Sequence, residues 1–331
     1  MKIIIWGFPL HTHTHSYIHA AWYKFFRYLG YETYWFDENN YPADFDYKNC
    51  LFITEGFADK NIPLEPSSTY FVHICINPKK YLSKECRVID IRFNVDHIND
   101  TNYSYVLNRK NLQKIDSVSF YDSAANDQVL ADQWKKGISN YEALYFSWAT
   151  DMLPTEFNFD DINIPRENKI YWVGTIGQNN QNEMKSFVHS LNKHNIQFLH
   201  NDPWSNPISS DHAKLLVQKS FIAPDIRGGF DNRIVNGKPS TGSDHKSIGY
   251  IPCRIFKNIS YGQLGICNSK AVYDLFDGNV IYSNDEKQLI ELSLEHRKNI
   301  KMILNQMLFV KENHTYINRI NSILKVYNKN L

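Results

Sequence analysis

The sequence predicts an α/β protein built from two facing, doubly wound Rossmann-like domains. Three observations lead there. Short apolar strands alternate with amphipathic helices. The alternation breaks in a Pro-containing acidic stretch and then restarts. The 331 residues are 43% hydrophobic, and at roughly 100–200 residues per domain such a chain fills two cores. Strand-helix-strand units build parallel sheets, and ligands bind beyond the carboxyl ends of their strands. With two such domains, those ends are expected to face a shared cleft.

Residues 2–7 read as a buried first strand. One Lys and a short apolar run also fit a signal peptide, but Pro9 and a His-rich tract follow at once, with no small-residue cleavage site. A helix is expected from about Ser16. There Ile18, Trp22, Phe25, Phe26 and Leu29 recur at helical spacing opposite Lys24 and Arg27, and Gly30 is a natural stop. Residues 32–36 alternate as an aromatic strand. Further strands are expected at 50–54, 70–76, 87–91, 117–121 and 143–148, separated by Pro- and Asn-rich turns. These form a first domain, 1–150, and residues 151–168 read as a linker. The second domain, 169–310, opens with a strand at 169–173. A helix near 182–193, a strand at 196–199, a helix at 211–219 and a strand at 220–224 follow. A polar, Gly-rich loop spans 228–249, long enough to be a lid or to be disordered. A short helix at 252–261 and strands at 265–268 and 279–282 complete the alternation. From Asp285 the tail reads as helical, with 311–331 free to pack back on the first domain.

Composition excludes several classes. Lys+Arg 36 against Asp+Glu 35 gives a net charge of +1, so no global field attracts nucleic acid, and none is expected as a partner. No apolar run reaches the roughly 18 residues of a membrane-spanning helix. Ile300 to Val310 is densely apolar between Lys298 and Lys311. That fits peripheral membrane contact through an interfacial helix or burial against the first domain. The five cysteines are scattered without a CxxC, which argues against disulfides and thiolate zinc and fits a reducing, cytoplasmic setting. Gly174 to Gly177 is only a fragment of a GxGxxG, and no GxxxxGK[ST] occurs, so nicotinamide dehydrogenases and P-loop NTPases are disfavoured.

Chemistry concentrates in two places. In the second domain, Pro252 opens a helix after a polar loop, and free N–H groups at its start with Arg254 and Lys257 make an anion site. These two cations are three apart and share a face; the alternative is an amphipathic helix with solvated cations. Tyr250, Asn258, Lys246, Gly174 and Thr175 complete the candidate ligand-binding set, with His245 beside Lys246 in the loop. Asp225 and Arg227 follow a buried strand, so Arg227 either meets a phosphate or is a solvated loop residue. Trp148 reads as core. In the first domain the tract His11-Thr-His13-Thr-His15-Ser-Tyr-Ile-His19 admits three readings. His15 and His19 are spaced to share a metal, but no carboxylate or Cys lies near in sequence, so no metal ligands are assigned. The imidazoles can cap a helix and bond to backbone. Or His13 or His15, at a loop-to-helix junction after the first strand, is a general base.

The second-domain segment, read as Arg254-Ile-Phe256-Lys257-Asn-Ile-Ser-Tyr-Gly262, resembles the R-x-F-E-x-x-x-x-G stretch of GT-B glycosyltransferases. Lys257 stands where many members carry Glu. His314-Thr-Tyr316-Ile-Asn-Arg319 is similar to the HTYxxR helix that closes many such chains. Val280 to Asp285, Tyr171 to Gly174 and Phe146 to Asp151 resemble further stretches. Most of these matches fall in residues 169–328, in a C-terminal domain like that of the group 1 glycosyl transferases.

The resemblance implies transfer of a sugar from a UDP- or GDP-linked donor to a hydroxyl of a glycan, without a cofactor or metal. Arg254 and Lys257 would neutralise the departing diphosphate, and a His base with no Glu implies inversion. The rivals are a GT-B sugar-nucleotide epimerase or hydrolase, a non-catalytic glycan-binding module, and a His-rich metal-binding protein.

Overall fold

A computed structural model describes residues 1–13, 15–92, 105–107, 112–114, 142–176, 180–228, 234–235, 238–239, 246 and 250–328. The chain forms two compact units, Met1–Phe146 with Tyr316–Leu331, and Ser147–Thr315.

The first unit is built on one sheet. Its strands are β1 (Lys2–Trp6), β2 (Glu32–Phe36), β3 (Cys50–Glu55), β4 (Thr69–His73), β5 (Arg87–Arg92), β6 (Tyr105–Leu107), β7 (Leu112–Lys114) and β8 (Glu142–Tyr145). They run in the order β2-β1-β3-β4-β5-β8-β6-β7. All pairings are parallel except the β6–β7 edge. β1, β3 and β4 are buried along almost their whole length, as expected of parallel strands covered on both faces. Ile4, Trp6, Phe52, Tyr70 and Val72 make one core face with Tyr81 of α2 (Pro78–Leu82). Helix α1 (Ser16–Tyr28) returns the chain from β1 to β2 and buries Trp22, Phe25 and Phe26. The order reverses at β1, which pairs with β2 on one side and β3 on the other. Such a switch point leaves a crevice at the carboxyl ends of its strands.

The last helix, Tyr316–Asn328, belongs to this unit. Tyr316 meets Trp22 edge-on at 4.6 Å and Phe25 at 5.6 Å. Arg87 of β5 donates to the carbonyls of Val326 and Tyr327, and its Nε is 2.7 Å from Glu142.

The second unit repeats the logic on a smaller scale. β9 (Lys169–Val173) and β10 (Gln197–Asn201) pair in parallel, with α3 (Gln181–Asn192) between them. After α4 (Ser210–Lys219) the extended segment 220–226 bonds on both sides. Phe221 N donates to Lys169 O, and Asp225 N donates to Ile266 O. It thus joins β9 to β13 (Ile266–Cys267), which pairs in parallel with β14 (Ile281–Tyr282). This segment carries a single bridge, Asp225–Cys267, where the sequence predicts a strand. The short β11 (Ile234–Val235) and β12 (Lys238–Pro239) form an antiparallel pair. The helices α5 (Cys253–Ser260), α6 (Lys270–Leu275), α7 (Glu286–His296) and α8 (Ile300–Asn313) follow, and Tyr316–Asn328 is α9.

Two expectations change. Residues 151–168 are not a free connection: Phe157 enters the second core, and Asp161 accepts from Gln218 at 2.7 Å. The apolar helix α8 belongs to the second unit. Ile303, Met307 and Val310 sit in the second unit's core, and it is α9 that packs on α1. Among the described residues no helix is long and apolar enough to cross a membrane. The strand expected at 117–121 and nearly all of loop 228–249, His245 included, lie outside the described residues.

The Tyr316–Trp22 contact is the closer of the two ring contacts described between α9 and α1. Trp22→Ala is expected to lower stability by about 3–5 kcal/mol, the range for removing a buried aromatic ring, as read by urea unfolding.

Candidate functional site

In the first unit the His tract follows β1 and Glu55 closes β3, so both sit at the switch point. His15 occupies the N-cap of α1, yet its side chain does not cap the helix. Its Nδ1 faces Glu55 Oε2 in a short hydrogen bond instead. The capping reading is therefore set aside for His15: a buried carboxylate is the stronger acceptor for the ring N–H. Glu55 is 1% exposed, and its Oε1 has no hydrogen-bond partner among the described residues. His19 Nε2 lies 3.8 Å from Glu55 Oε2. The rings of His13 and His73 each pack against His15 with centroids 5.1 Å apart. His13 Nδ1 accepts from His15 N at 3.2 Å. His11 is exposed, in a left-handed conformation, with Nδ1 3.1 Å from Tyr17 Oη.

Burial sets the protonation here. It pulls His19 down from the usual 6.5 to about 4, against the Glu55 charge that raises it. Burial and the neighbouring His15 lower His13 as well, again against Glu55. Gly7 is needed for this packing, because a Cβ there would enter the His19 ring. With an ionised Glu55 as acceptor, a neutral His15 ring carries its proton on Nδ1 and has Nε2 as its acceptor nitrogen. That is an imidazole oriented to take a proton.

The second unit gathers a different set at its own strand ends. Asp225 is wholly buried. Arg227 holds it through Nη2 at 2.5 Å and Nε at 3.1 Å, and Arg254 Nε lies 3.8 Å away. Burial opposes the charge of Arg227, but the Asp225 carboxylate outweighs it and raises the pKa. Arg254 is pulled down to about 10, by burial first and by Arg227 second. Its guanidinium stacks 3.9 Å over the Trp172 ring, and Nη1 donates to Val173 O at 2.8 Å. Its Nε has no hydrogen-bond partner among the described residues. Gly174 follows at φ 130°, and a Cβ there would strike this guanidinium. The turn after Arg227 is fixed by amides. Asn268 accepts from Arg227 N at 2.7 Å, and Asn180 accepts from Gly228 N at 2.8 Å.

The sequence-predicted residues divide accordingly. Arg254, Arg227 and Gly174 come together around Asp225, and Arg227 is buried where the solvated-loop alternative expects exposure. Tyr250 borders them: its ring lies 6.0 Å from the Arg227 guanidinium and its hydroxyl accepts from Trp148 Nε1 at 2.9 Å. Lys257 points elsewhere and pairs with Asp151 at 2.6 Å, where the carboxylate outweighs burial and raises its pKa. Asn258 is structural, donating to Ala223 O at 2.7 Å. Thr175 donates weakly to Asp202 at 3.4 Å, and Lys246 donates to Asn284 at 3.2 Å. Sequence reasoning missed Glu55, His73, Trp172, Asn180 and Asn268. Glu55 left one signal, an acidic residue closing an otherwise apolar strand.

No family model matches the chain, and no curated protein is similar to it in sequence. Solved structures are similar in fold. One is an alpha-glucosyltransferase in complex with UDP-glucose and DNA containing an abasic site, with TM-score 0.58 and 10% identity over 98% of this chain and 99% of that one. An alpha-glucosyltransferase bound to UDP gives 0.53 and 10% over 98% and 100%. An alpha-glucosyltransferase with UDP and a 13-mer DNA containing an HMU base gives 0.52 and 10% over 98% and 99%. The fold of this chain is the α/β fold of these GT-B glycosyltransferases. Two of them hold DNA, which overturns the exclusion of nucleic acid and the choice of a glycan acceptor. Whole-chain charge misled because phosphate contacts need only local cations.

Buried, neutral His19 makes stability depend on pH. Its folded pKa of about 4 lies below the ordinary 6.5, so the unfolded chain binds a proton that the folded chain refuses. Stability is expected to be full above pH 6.5 and to fall as pH drops towards 4, by on the order of 3 kcal/mol. His19→Asn should flatten that slope in urea unfolding measured across this range. An unchanged slope would assign the acid sensitivity to other groups.

Proposed function

We propose that the protein is a glycosyltransferase that moves a hexosyl group from a UDP-linked donor to a hydroxyl on DNA. The observation that carries this reading is the pair of guanidinium groups around one carboxylate at the strand ends of the second unit. Arg227 and Arg254 bring two positive charges to the single negative charge of Asp225. The surplus charge and the unpartnered Nε of Arg254 suit a diphosphate. The UDP and UDP-glucose in the similar structures support that donor, and their DNA supports the acceptor.

In this reading the second unit holds the donor. Arg227 is locked by Asp225, so its charge is pre-oriented, and stabilising a leaving diphosphate then needs little reorganisation. Lys257, already paired with Asp151, steers the fold near Tyr261 rather than the phosphate. The first unit supplies the base. His15 Nε2 takes the proton of the acceptor hydroxyl, while Glu55 holds the ring and stabilises the imidazolium that forms. A base acting on the acceptor in a single displacement inverts the anomeric centre, so an α-linked donor would give a β-linked product, read by the proton coupling at the anomeric carbon.

UDP is expected to raise the melting temperature more than GDP, CMP or dTDP do. Arg254→Ala should weaken UDP binding roughly ten- to a hundred-fold and leave uridine binding nearly unchanged. Equal losses for both ligands would mean that Arg254 acts on the fold.

His15→Asn should lower the transfer rate to a hydroxymethylated DNA roughly a hundred- to ten-thousand-fold, with UDP affinity preserved. Full turnover in that variant would remove His15 as the base.

A further inference from the structure

The first-unit cluster has a property that the transfer reaction does not use. A carboxylate oxygen, Glu55 Oε1, is buried with no hydrogen-bond partner among the described residues. Leaving such an oxygen unsatisfied is costly, and each buried case asks for an explanation. Around this carboxylate stand imidazoles. One ligand atom each from His13, His15 and Glu55 lies within 4.8 Å of the others. Two nitrogen or oxygen ligands of a tetrahedral zinc, at about 2.0–2.1 Å from the metal, are about 3.3 Å apart. The widest pair must therefore close by about 1.5 Å at most, while the His15 Nδ1–Glu55 Oε2 pair, already closer than that spacing, must open to admit the ion. His13, half-buried on the turn before α1, is the ligand that would move to close the set. Two imidazoles and a carboxylate form a three-protein-ligand set that leaves a fourth position open, and imidazole suits zinc-class ions better than magnesium or calcium. His19, with Nε2 3.8 Å from Glu55 Oε2, and His73, whose tilted ring lies 5.1 Å from that of His15, border the ligands as a second layer.

We propose that His13, His15 and Glu55 form a binding site for one divalent cation of the zinc class, and that its occupancy switches off the base function of His15. The second clause rests on the transferase reading; the first does not. The switch follows from imidazole chemistry. With no metal bound, the His15 proton is on Nδ1, shared with Glu55 Oε2. A cation bound between these two atoms needs the Nδ1 lone pair. The neutral ring then carries its single proton on Nε2, exchanged through water, with no net proton taken up or released. Nε2–H is a donor and no longer a base. The residues that hold the metal are thus the residues that orient the base, and the two states exclude each other.

The test uses the full chain freed of metal by a chelator. Titration with Zn2+ should show one strong site per chain. Co2+ at the same site should give the intense visible absorption of a four-coordinate ion. Glu55→Gln and His13→Asn should each weaken binding at least ten-fold, whereas His11→Asn, outside the cluster, should bind as the unaltered protein does. Imidazole 15N–1H correlation spectra should show the His15 proton moving from Nδ1 to Nε2 when zinc is added. Turnover should fall with zinc and return with chelator, at unchanged UDP affinity. Absence of a one-to-one site, or binding insensitive to both Glu55→Gln and His13→Asn in variants whose melting temperature is unchanged, would overturn the site. A His15 tautomer unaffected by zinc, or turnover that rises with zinc, would overturn the switch. Absence of transfer from any UDP-sugar would instead count against the transferase reading, since stoichiometry, cobalt spectrum and tautomer are read without it.

Discussion

Asp225 has no access to water, and an isolated carboxylate there would cost several kcal/mol. Much of the second unit is arranged around compensating it. Arg227 reaches it within two residues of chain, Arg254 comes from α5, and their guanidinium groups leave Asp225 between two cations. The position of Arg254 in turn requires the Trp172 face beneath it and a residue without a side chain at 174. The turn carrying Arg227 requires the amides of Asn180 and Asn268. A three-residue Asp-x-Arg unit thus imposes constraints on β9, α3, α5 and the end of β13. A buried ion pair is weak support for stability in itself. Its consequence here is orientation, with positive charge fixed at the carboxyl ends of the strands.

The first unit solves the same problem with a different compensation. Glu55 also ends a buried parallel strand, but imidazoles rather than guanidinium groups meet it. An imidazole gains or loses a proton near neutral pH where a guanidinium does not. The two buried carboxylates therefore lead to different chemistry. Around Asp225 the charge is permanent and suits an anion. Around Glu55 it depends on where one proton sits, which suits proton transfer and also suits a metal.

The C-terminal motif divides along the same lines as the units. The His314 ring stacks on Phe256 and packs near Phe309 in the second core. Two residues later, Tyr316 is in the first core against Trp22. Thr150 N donates to His314 O, and Thr150 bridges Thr315. The two stretches at which the chain passes from one unit to the other therefore lie side by side. The His-Thr-Tyr run is a structural motif, placing one ring in each core on either side of Thr315.

The amino-acid sequence by itself determined the local elements: the apolar runs of β1, β3 and β9, the helical stripe of α1, and the amphipathic α5 are properties of neighbouring residues. It also marked Arg254, Arg227 and the His tract, because unusual side chains at strand ends and helix starts are visible in one dimension. Tertiary structure alone decided the partners. Lys257 and Arg254 share a helix and a spacing, yet Asp151 captures one and Asp225 the other, and no periodicity distinguishes these carboxylates. Glu55, forty residues from His15, takes the His15 ring into a side-chain hydrogen bond and leaves the N-terminus of α1 without a side-chain cap. Net charge, a sum over the whole chain, held no information about where its cations meet. The physical reason is common to all three: pairing and burial depend on distance through space, which parallel-strand crossovers set between residues far apart in sequence.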